Sequence, residues 1–335
     1  MPIRPVNMDA SKKLVHIDPD GDLHLEVGLG EAAVTYVVCS KALARVSRFF
    51  KQLLYGGFAE SKENHGQDAK TNWTVSLPED DPKSILTVLY MVHAMFDRVP
   101  EEIDSRDLYG ITVLTDKYDL THILRPWARG WSSQVFAASG SVDERIWIAW
   151  ELGYESLFKN LVQYLVLDLT ARDLRQGRPS RKGTLQPPGL DDFLKLARLE
   201  KISELLSGPQ QLMDSIANTE FGVCRMQSKD CATSMLAEIK RSLRQLGLYP
   251  LPRADEIQRC PSVLGEILLS LDLRVTRDGH TCDAREYVKN HVKHALDAKI
   301  DLPEAFLHHL QSQAKKTGLS TVPPMLGYIF LDPLH

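Results

Sequence analysis

The sequence lacks the features of a membrane protein and of a secreted protein. No apolar run approaches the roughly 20 residues that a membrane-spanning helix needs. The segment from Met1 to Ser11 has no apolar stretch of the kind that a secretory signal contains, so we expect no secretion. The formal net charge is only −4, and a chain this close to neutral has no general attraction to nucleic-acid phosphates. We therefore predict a cytoplasmic or nuclear protein that binds neither a membrane nor nucleic acid.

Motifs of catalysis and of cofactor binding are also missing. The chain contains no G-x-S-x-G nucleophile elbow and no H-E-x-x-H metal-binding motif. Gly28-Leu29-Gly30 begins a G-x-G-x-x-A pattern, but a dinucleotide site needs a helix next and an acidic residue about 20 positions later. A strand is predicted next instead, and no acidic residue lies between Glu31 and Glu60. We predict no enzymatic activity, no cofactor and no small-molecule substrate.

Cysteine is scarce, and its count of five is odd: Cys39, Cys224, Cys231, Cys260 and Cys282. In a chain without a secretory signal, reduced thiols are expected. Tetrahedral zinc takes ligand sets such as Cys224, Cys231, His280 and Cys282. The six residues between the first two cysteines exceed the usual two to four, and about 50 residues separate the two halves. Buried structural thiols are the favoured interpretation, so no metal is predicted. A zinc site at these four residues is the alternative.

The composition predicts a packed globular protein of about two domains, and the order of its predicted strands and helices indicates an α+β fold. The chain has 335 residues, of which 43% are hydrophobic and 25% charged, as in a globular protein with a packed core. Residues 1–17 are predicted to form a flexible arm and residues 18–135 an N-terminal α+β domain. Residues 136–335 are predicted to form an all-α C-terminal region with a loop at 176–190 that is rich in Pro, Gly and basic residues.

Alternating apolar residues predict two strands near the start, at Leu23, Leu25 and Val27 and at Val34, Tyr36 and Val38. The glycines at Gly28 and Gly30 lie between them, which indicates a hairpin. Helical spacing follows, at Leu43, Val46, Phe50, Leu53 and Leu54. Ser40 and Ser47 are the expected N-caps, so two short helices are predicted.

Further along the chain, Trp73 to Asp81 predicts another strand that leads into a helix. Ser141 and Glu144 have the spacing of a capping box before an apolar run. Seven helical segments are then predicted, at 141–153, 155–175, 191–207, 228–246, 261–273, 283–300 and 303–316.

Several segments, taken in order, resemble a BTB/POZ domain. The Asp22-Leu23-His24-Leu25-Glu26-Val27 stretch and the pattern Leu43-x-x-x-Ser47-x-x-Phe50 are similar to the core of that family, in the style of fungal BTB-domain proteins. Trp73 to Asp81, Leu108 to Asp119 and Arg125 to Ala128 are similar to its later segments. The resemblance implies a small mixed sheet flanked by helices over 18–135.

One departure from the family concerns self-association. Many animal BTB domains carry a His followed by a basic residue before the first helix, where this chain has Cys39 and Ser40. The family's charged dimer pocket is therefore incomplete. The resemblance implies protein–protein association, and homodimerisation stays open.

The Phe58-Ala59-Glu60 triplet resembles the apolar-x-Glu motif of BTB adaptors that recruit cullin ubiquitin ligases. The resemblance implies that Phe58 fills a pocket on a cullin scaffold and that Glu60 hydrogen-bonds at its rim. Tyr55, three residues earlier, joins them as a candidate partner-binding residue. In the alternative interpretation Phe58 packs on its own domain and Glu60 is solvated. The competing function is a homo-oligomerising scaffold, or a transcription-linked BTB protein, without a ligase role.

Overall fold

The structure is a computed structural model that describes residues 13–65, 72–137, 141–176, 183–218, 229–277 and 280–319. Contacts divide the chain into two compact units. Unit 1 comprises Met1–Leu157, Gly183–Leu185 and Pro303–His335, and unit 2 comprises Phe158–Lys182 and Gln186–Leu302. In the described residues the fold is mixed α+β: a four-stranded sheet near the start, followed mostly by helices.

The strands of the described residues are β1 (Lys13–His16), β2 (Leu23–Val27), β3 (Val34–Val38), β4 (Thr74–Leu77), β5 (Arg274–Arg277) and β6 (His280–Asp283). The helices are α1 (Ser40–Val46), α2 (Arg48–Tyr55), α3 (Lys62–His65), α4 (Pro82–Val92), α5 (Ser105–Lys117), α6 (Ala128–Ala137), α7 (Val142–Leu152), α8 (Glu155–Asp168), α9 (Ala171–Gln176), α10 (Leu190–Ala217), α11 (Lys229–Gln245), α12 (Pro261–Leu269), α13 (Arg285–Asp297) and α14 (Glu304–Thr317). Among these helices, none combines the length and the apolar content that crossing a bilayer requires.

The predicted hairpin is confirmed. Strands β2 and β3 pair antiparallel from Leu23 opposite Val38 to Val27 opposite Val34. The four strands lie in the order β1-β3-β2-β4, in which β1 is parallel to β3 and β4 is parallel to β2. Leu23, Leu25 and Val27 are fully buried, while the intervening His24 and Glu26 are half-buried, as the alternation predicts.

The two short helices after the hairpin are also confirmed. Their apolar residues Leu43, Phe50 and Leu54 are buried in the same core as the strands, and the ring of Tyr118 stacks on Phe50 with 4.7 Å between centroids. Ser47 is the N-cap of α2: its Oγ accepts the N–H of Phe50 at 3.0 Å and donates to the carbonyl of Tyr118 at 2.7 Å. This side chain therefore opens α2 and also ties it to the end of α5.

Two local predictions in unit 1 are wrong at their caps. Cys39, not Ser40, occupies the N-cap position of α1, and the hydroxyl of Ser40 donates to Asp22 at 2.8 Å. The predicted capping box before α7 does not form, since Ser141 lies at the N-cap without a side-chain hydrogen bond and Glu144 is buried. Spacing alone does not show when a tertiary partner competes for a capping side chain.

The predicted arm at 1–17 is wrong for its last part. Lys13–His16 forms strand β1 and Ile17 is buried, while residues 1–12 lie outside the described residues. This strand pairs along one side only and is mostly exposed, so its sequence shows no apolar alternation.

Unit 2 is built around the long helix α10, whose buried residues include Leu194, Ile202, Leu205 and Leu212. The predicted loop at 176–190 is free of helix and strand over 183–189, and residues 177–182 lie outside the described part of the chain. The prediction of an all-α C-terminal region is wrong at β5 and β6, which pair antiparallel. These strands are largely polar, and Val275 and Cys282 are their contacts with the apolar core, so the sequence gives little strand signal.

Candidate functional sites

The Phe58 turn, residues 56–61, follows directly after α2. The carbonyl of Phe58 accepts the N–H of Ser61 at 2.9 Å and the side-chain amide of Asn64 at 2.7 Å. The indole N–H of Trp73 donates to the carbonyl of Glu60 at 2.8 Å. The backbone of the turn is thus held in place, while the Phe58 side chain is 51% exposed and Glu60 is half-buried. About half of the Phe58 side chain is therefore at the surface, on a turn whose backbone is fixed.

Tyr55 contacts its own domain through both its hydroxyl and its ring, and it is also partly exposed. Its hydroxyl lies 2.6 Å from the Oγ of Ser40, and its ring packs edge-on against Trp73 with centroids 6.1 Å apart. The side chain is nevertheless 39% exposed. Tyr55 is therefore oriented by its own domain, and one face of its ring remains at the surface.

Asp22 organises the polar groups at the start of α1. One of its oxygens accepts the backbone N–H of Ser40 at 2.8 Å, and the other accepts Lys62 Nζ at 2.7 Å. Burial alone raises the pKa of the Asp22 carboxyl, but the hydrogen bonds from Lys62 and Ser40 outweigh it and the pKa lies below its usual value. Both carboxylate oxygens of Asp22 are therefore engaged by groups of the same chain.

A basic groove lies beside α2, with a cavity volume of about 1,010 Å³. Its lining includes Tyr55 and five basic side chains: Lys41, Arg45, Arg48, Lys51 and Lys316. The only acidic residue in the lining is Asp119, which lies 3.7 Å from Lys316. The chain as a whole carries a charge of −4, so this local excess of positive charge does not follow from composition. The groove can attract an acidic group.

The groove was not predicted from the sequence, although a signal of it is present there. Lys41, Arg45, Arg48 and Lys51 follow one another at intervals of four, three and three residues, which is the spacing of one helical face. Two helices rather than one carry them, and Lys316 joins from α14, more than 260 positions further along the chain. The helical spacing was readable, but the contribution of α14 was not.

Three of the four residues named as the alternative zinc set lie close together in unit 2. The Sγ atoms of Cys231 and Cys282 and a ring nitrogen of His280 all lie within 4.8 Å of one another. Cys231 and Cys282 are buried, and His280 is half-buried. Cys224, the fourth member of the predicted set, lies outside the described residues. Both thiols are buried, as the favoured interpretation expected, and the three side chains are also close enough together to bind one metal ion.

Comparison of the chain with protein-family models, with curated proteins and with solved structures found no match.

Proposed function

We propose that the chain is a non-enzymatic protein-interaction module of the BTB/POZ type, located in the cytoplasm or nucleus. In this proposal it is an adaptor that binds a cullin ubiquitin-ligase scaffold through unit 1. The observation that carries the proposal is the exposed Phe58 ring on a turn whose backbone is fixed by hydrogen bonds from Ser61, Asn64 and Trp73. A preorganised aromatic side chain is the kind of residue that dominates binding energy at protein interfaces.

The partner surface that we propose extends from the Phe58 turn along α2 to the basic groove. Tyr55 belongs to both parts, since it lines the groove and stands three residues before Phe58. The matching partner presents an apolar pocket for Phe58 and acidic side chains opposite Arg48 and Lys51. The apolar anchor supplies most of the affinity, while the charges mainly speed association.

Titration calorimetry of the full chain against a purified cullin scaffold tests this proposal. We expect micromolar or tighter binding by the wild type. Phe58→Ala should weaken the affinity about 30-fold, because loss of a buried aromatic anchor costs about 2 kcal/mol. Glu60→Ala should weaken it less, because a residue at the rim of an interface contributes less.

Leu29→Ala is the matched control, since Leu29 is a 72% exposed apolar residue on the β2–β3 hairpin, away from the proposed surface. Its affinity should equal that of the wild type. Absence of wild-type binding at micromolar concentrations, or equal binding by Phe58→Ala, would refute the adaptor proposal.

A second candidate function is a homo-oligomerising scaffold, and strand β1 favours it. In the described sheet β1 is an edge strand, and its Leu14 side chain is 53% exposed. Edge strands pair readily with other chains. Sedimentation equilibrium should then show a dimer for the wild type and a monomer for Leu14→Lys, because a lysine on an edge strand opposes pairing. A monomeric wild type at all concentrations would remove this candidate.

A further inference from the structure

The Cys231–His280–Cys282 cluster, already located in unit 2, is a built arrangement of donor atoms. Cys231 is the third residue of α11, and His280 and Cys282 lie on β6. Residues two apart on a strand point to the same side, so His280 and Cys282 both face α11. One helix and one strand, about 50 positions apart in the chain, thus converge on a single point.

The distances fit a tetrahedral zinc ion. Zn–S bonds of about 2.3 Å and Zn–N bonds of about 2.0 Å place neighbouring ligand atoms roughly 3.5–3.8 Å apart. The two sulfurs lie 3.4 Å apart, and the whole trio falls within 4.8 Å. A disulfide requires an S–S distance of about 2.05 Å, so the two thiols are not joined by one. Thiolate and imidazole ligands select zinc over magnesium and calcium.

Two carboxylates of the hairpin region are paired with arginines, so the two thiols and the imidazole are the donor set that we consider. Asp283 is paired with Arg285, with Nη2–Oδ2 at 2.5 Å and Nε–Oδ1 at 2.9 Å. Asp272 lies 3.8 Å from Arg274. These carboxylates are matched by arginines on the exposed side of the hairpin, while both sulfurs are buried.

A metal ion would stabilise the β5–β6 hairpin. Strands β5 and β6 form a two-stranded sheet, and such a hairpin has little stability of its own. Only Val275 and Cys282 connect it to the apolar core of unit 2. An ion bound by Cys231, His280 and Cys282 would fix β6 to the first turn of α11.

We propose that Cys231, His280 and Cys282 bind one zinc ion that anchors the β5–β6 hairpin to α11. Both thiols bind as thiolates, so loading releases two protons to solvent, and the imidazole binds in its neutral form. A ligand outside this trio completes the tetrahedron. The inference is independent of the proposed partner binding, which depends on unit 1.

The test begins with the full wild-type chain, expressed without a histidine tag and purified without chelator. Elemental analysis should find about one zinc per chain. Replacement by Co²⁺ should give sulfur-to-metal charge-transfer bands together with the visible bands of a tetrahedral ion. A strong zinc chelator should lower the melting temperature by more than about 2 °C, and added zinc should restore it.

Variants locate the ion. Cys231→Ser, Cys282→Ser and His280→Ala should each weaken zinc affinity at least tenfold, because even loss of an outer-sphere partner costs 10–100-fold. Cys260→Ser and His294→Ala are the matched controls: Cys260 is a buried thiol of the same unit beside Ser262, and His294 is an exposed histidine on α13. Both controls should bind zinc as the wild type does.

Three outcomes would overturn the proposal. The first is zinc well below one per chain in a wild type that zinc does not stabilise. The second is equal loss of zinc in Cys260→Ser and Cys231→Ser. The third is a Cys231–Cys282 disulfide in the protein purified without reductant, which would identify a redox pair instead. The first and third concern the wild type, so they decide the question even if a variant fails to fold.

Discussion

The two units bury different ionisable groups, acids in unit 1 and bases in unit 2, and satisfy them with different partners. Unit 1 encloses carboxyl groups, among them Asp80 and Glu151, whereas unit 2 encloses the cations Arg198 and Lys201. The acids are met by side chains from other elements: Tyr118 and Lys117 contact Asp80, and Thr121 and Gln313 contact Glu151. The cations are met mainly by backbone carbonyls, since Arg198 donates to Leu169, Ile257 and Arg259.

This difference predicts different responses to mutation and to pH. Truncation of Arg198 removes the donor from three backbone carbonyls of unit 2 at once. In unit 1 Asp80 and Glu151 each have more than one donor, and a mutation can remove one donor while another remains. The arginine does not titrate in the accessible range, although burial lowers its pKa. Burial raises the pKa of Glu151 to about 8. Of Glu151 and Arg198, therefore, only Glu151 titrates near neutral pH.

The tryptophans allow the units to be followed separately. All five lie in unit 1, at Trp73, Trp127, Trp131, Trp147 and Trp150. Tryptophan fluorescence therefore reports the unfolding of unit 1. Loss of helical circular dichroism that is not accompanied by a fluorescence change reports unit 2.

The largest effect is expected in unit 2 from Arg198→Leu. Three backbone carbonyls lose a donor that lies 2.8 Å away in each case. Removal of one partner from a buried network lowers the free energy of unfolding by about 3–5 kcal/mol. Urea unfolding by circular dichroism should show this loss without a matching change in fluorescence. Arg253→Leu, at a side chain that is 79% exposed, is the control. A cost below about 1 kcal/mol would show that these contacts do not organise unit 2.

The second largest effect is a dependence of the stability of unit 1 on pH. Glu151 has a folded pKa of about 8 and an ordinary value of 4.5, so the folded state holds a proton that the unfolded state has lost. Its contribution is fully present below about 4.5 and is lost as the pH rises through about 8. Between pH 5 and 8 unit 1 should lose about 3 kcal/mol, and Glu151→Gln should abolish most of that slope.

Fluorescence-monitored unfolding at a series of pH values measures this slope. Glu31→Gln changes an exposed carboxyl of the same unit and should leave the slope intact. A stability that stays level or rises between pH 5 and 8 would contradict the assignment.

A smaller effect is expected from Tyr118→Phe. The hydroxyl of Tyr118 donates to Asp80, which also accepts Lys117 Nζ at 2.6 Å. Removing one donor while the other remains should cost about 2 kcal/mol in unit 1. The stacked contact with Phe50 is kept in this variant, so the loss measures the hydrogen bond. An unchanged fluorescence transition would show that Lys117 alone satisfies Asp80.

The smallest effect is expected from Ser47→Ala. The hydroxyl caps α2 and also donates to the carbonyl of Tyr118, so its loss should cost about 1 kcal/mol or slightly more. Ser40→Ala, at a serine that does not cap, should leave the helicity of α2 unchanged. Hydrogen exchange at the N–H of Phe50 distinguishes the two, because only Ser47→Ala exposes that group.

The sequence predicted unit 1 better than unit 2 for a physical reason. The core around Leu23, Leu25 and Val27 is formed largely by segments that are close in the chain. Their apolar alternation and the helical spacing around Phe50 are therefore visible in the sequence. In strand β6 Cys282 is buried and His280 is half-buried, so the sequence shows no apolar alternation and tertiary contacts decide the pairing. The exposed β1 was missed for the same reason.

The candidate sites divide in a similar way. Phe58 and Tyr55 lie within one short segment and could be named from it, whereas the basic groove needs Lys316 from α14. Cys231, His280 and Cys282 could be listed together from their chemistry, but only the fold brings a helix and a strand together around them. Spacing along the chain reveals a local surface and does not reveal a convergence of distant segments.

The proposed function assigns partner binding to the Phe58 turn and the neighbouring face of α2. Hydrogen exchange of the full chain, with and without a saturating cullin scaffold, tests it most directly. We expect new protection to be concentrated in α2, the Phe58 turn and the borders of the basic groove, and Phe58→Ala to abolish it. Protection confined to unit 2, or identical exchange with and without the scaffold, would contradict it.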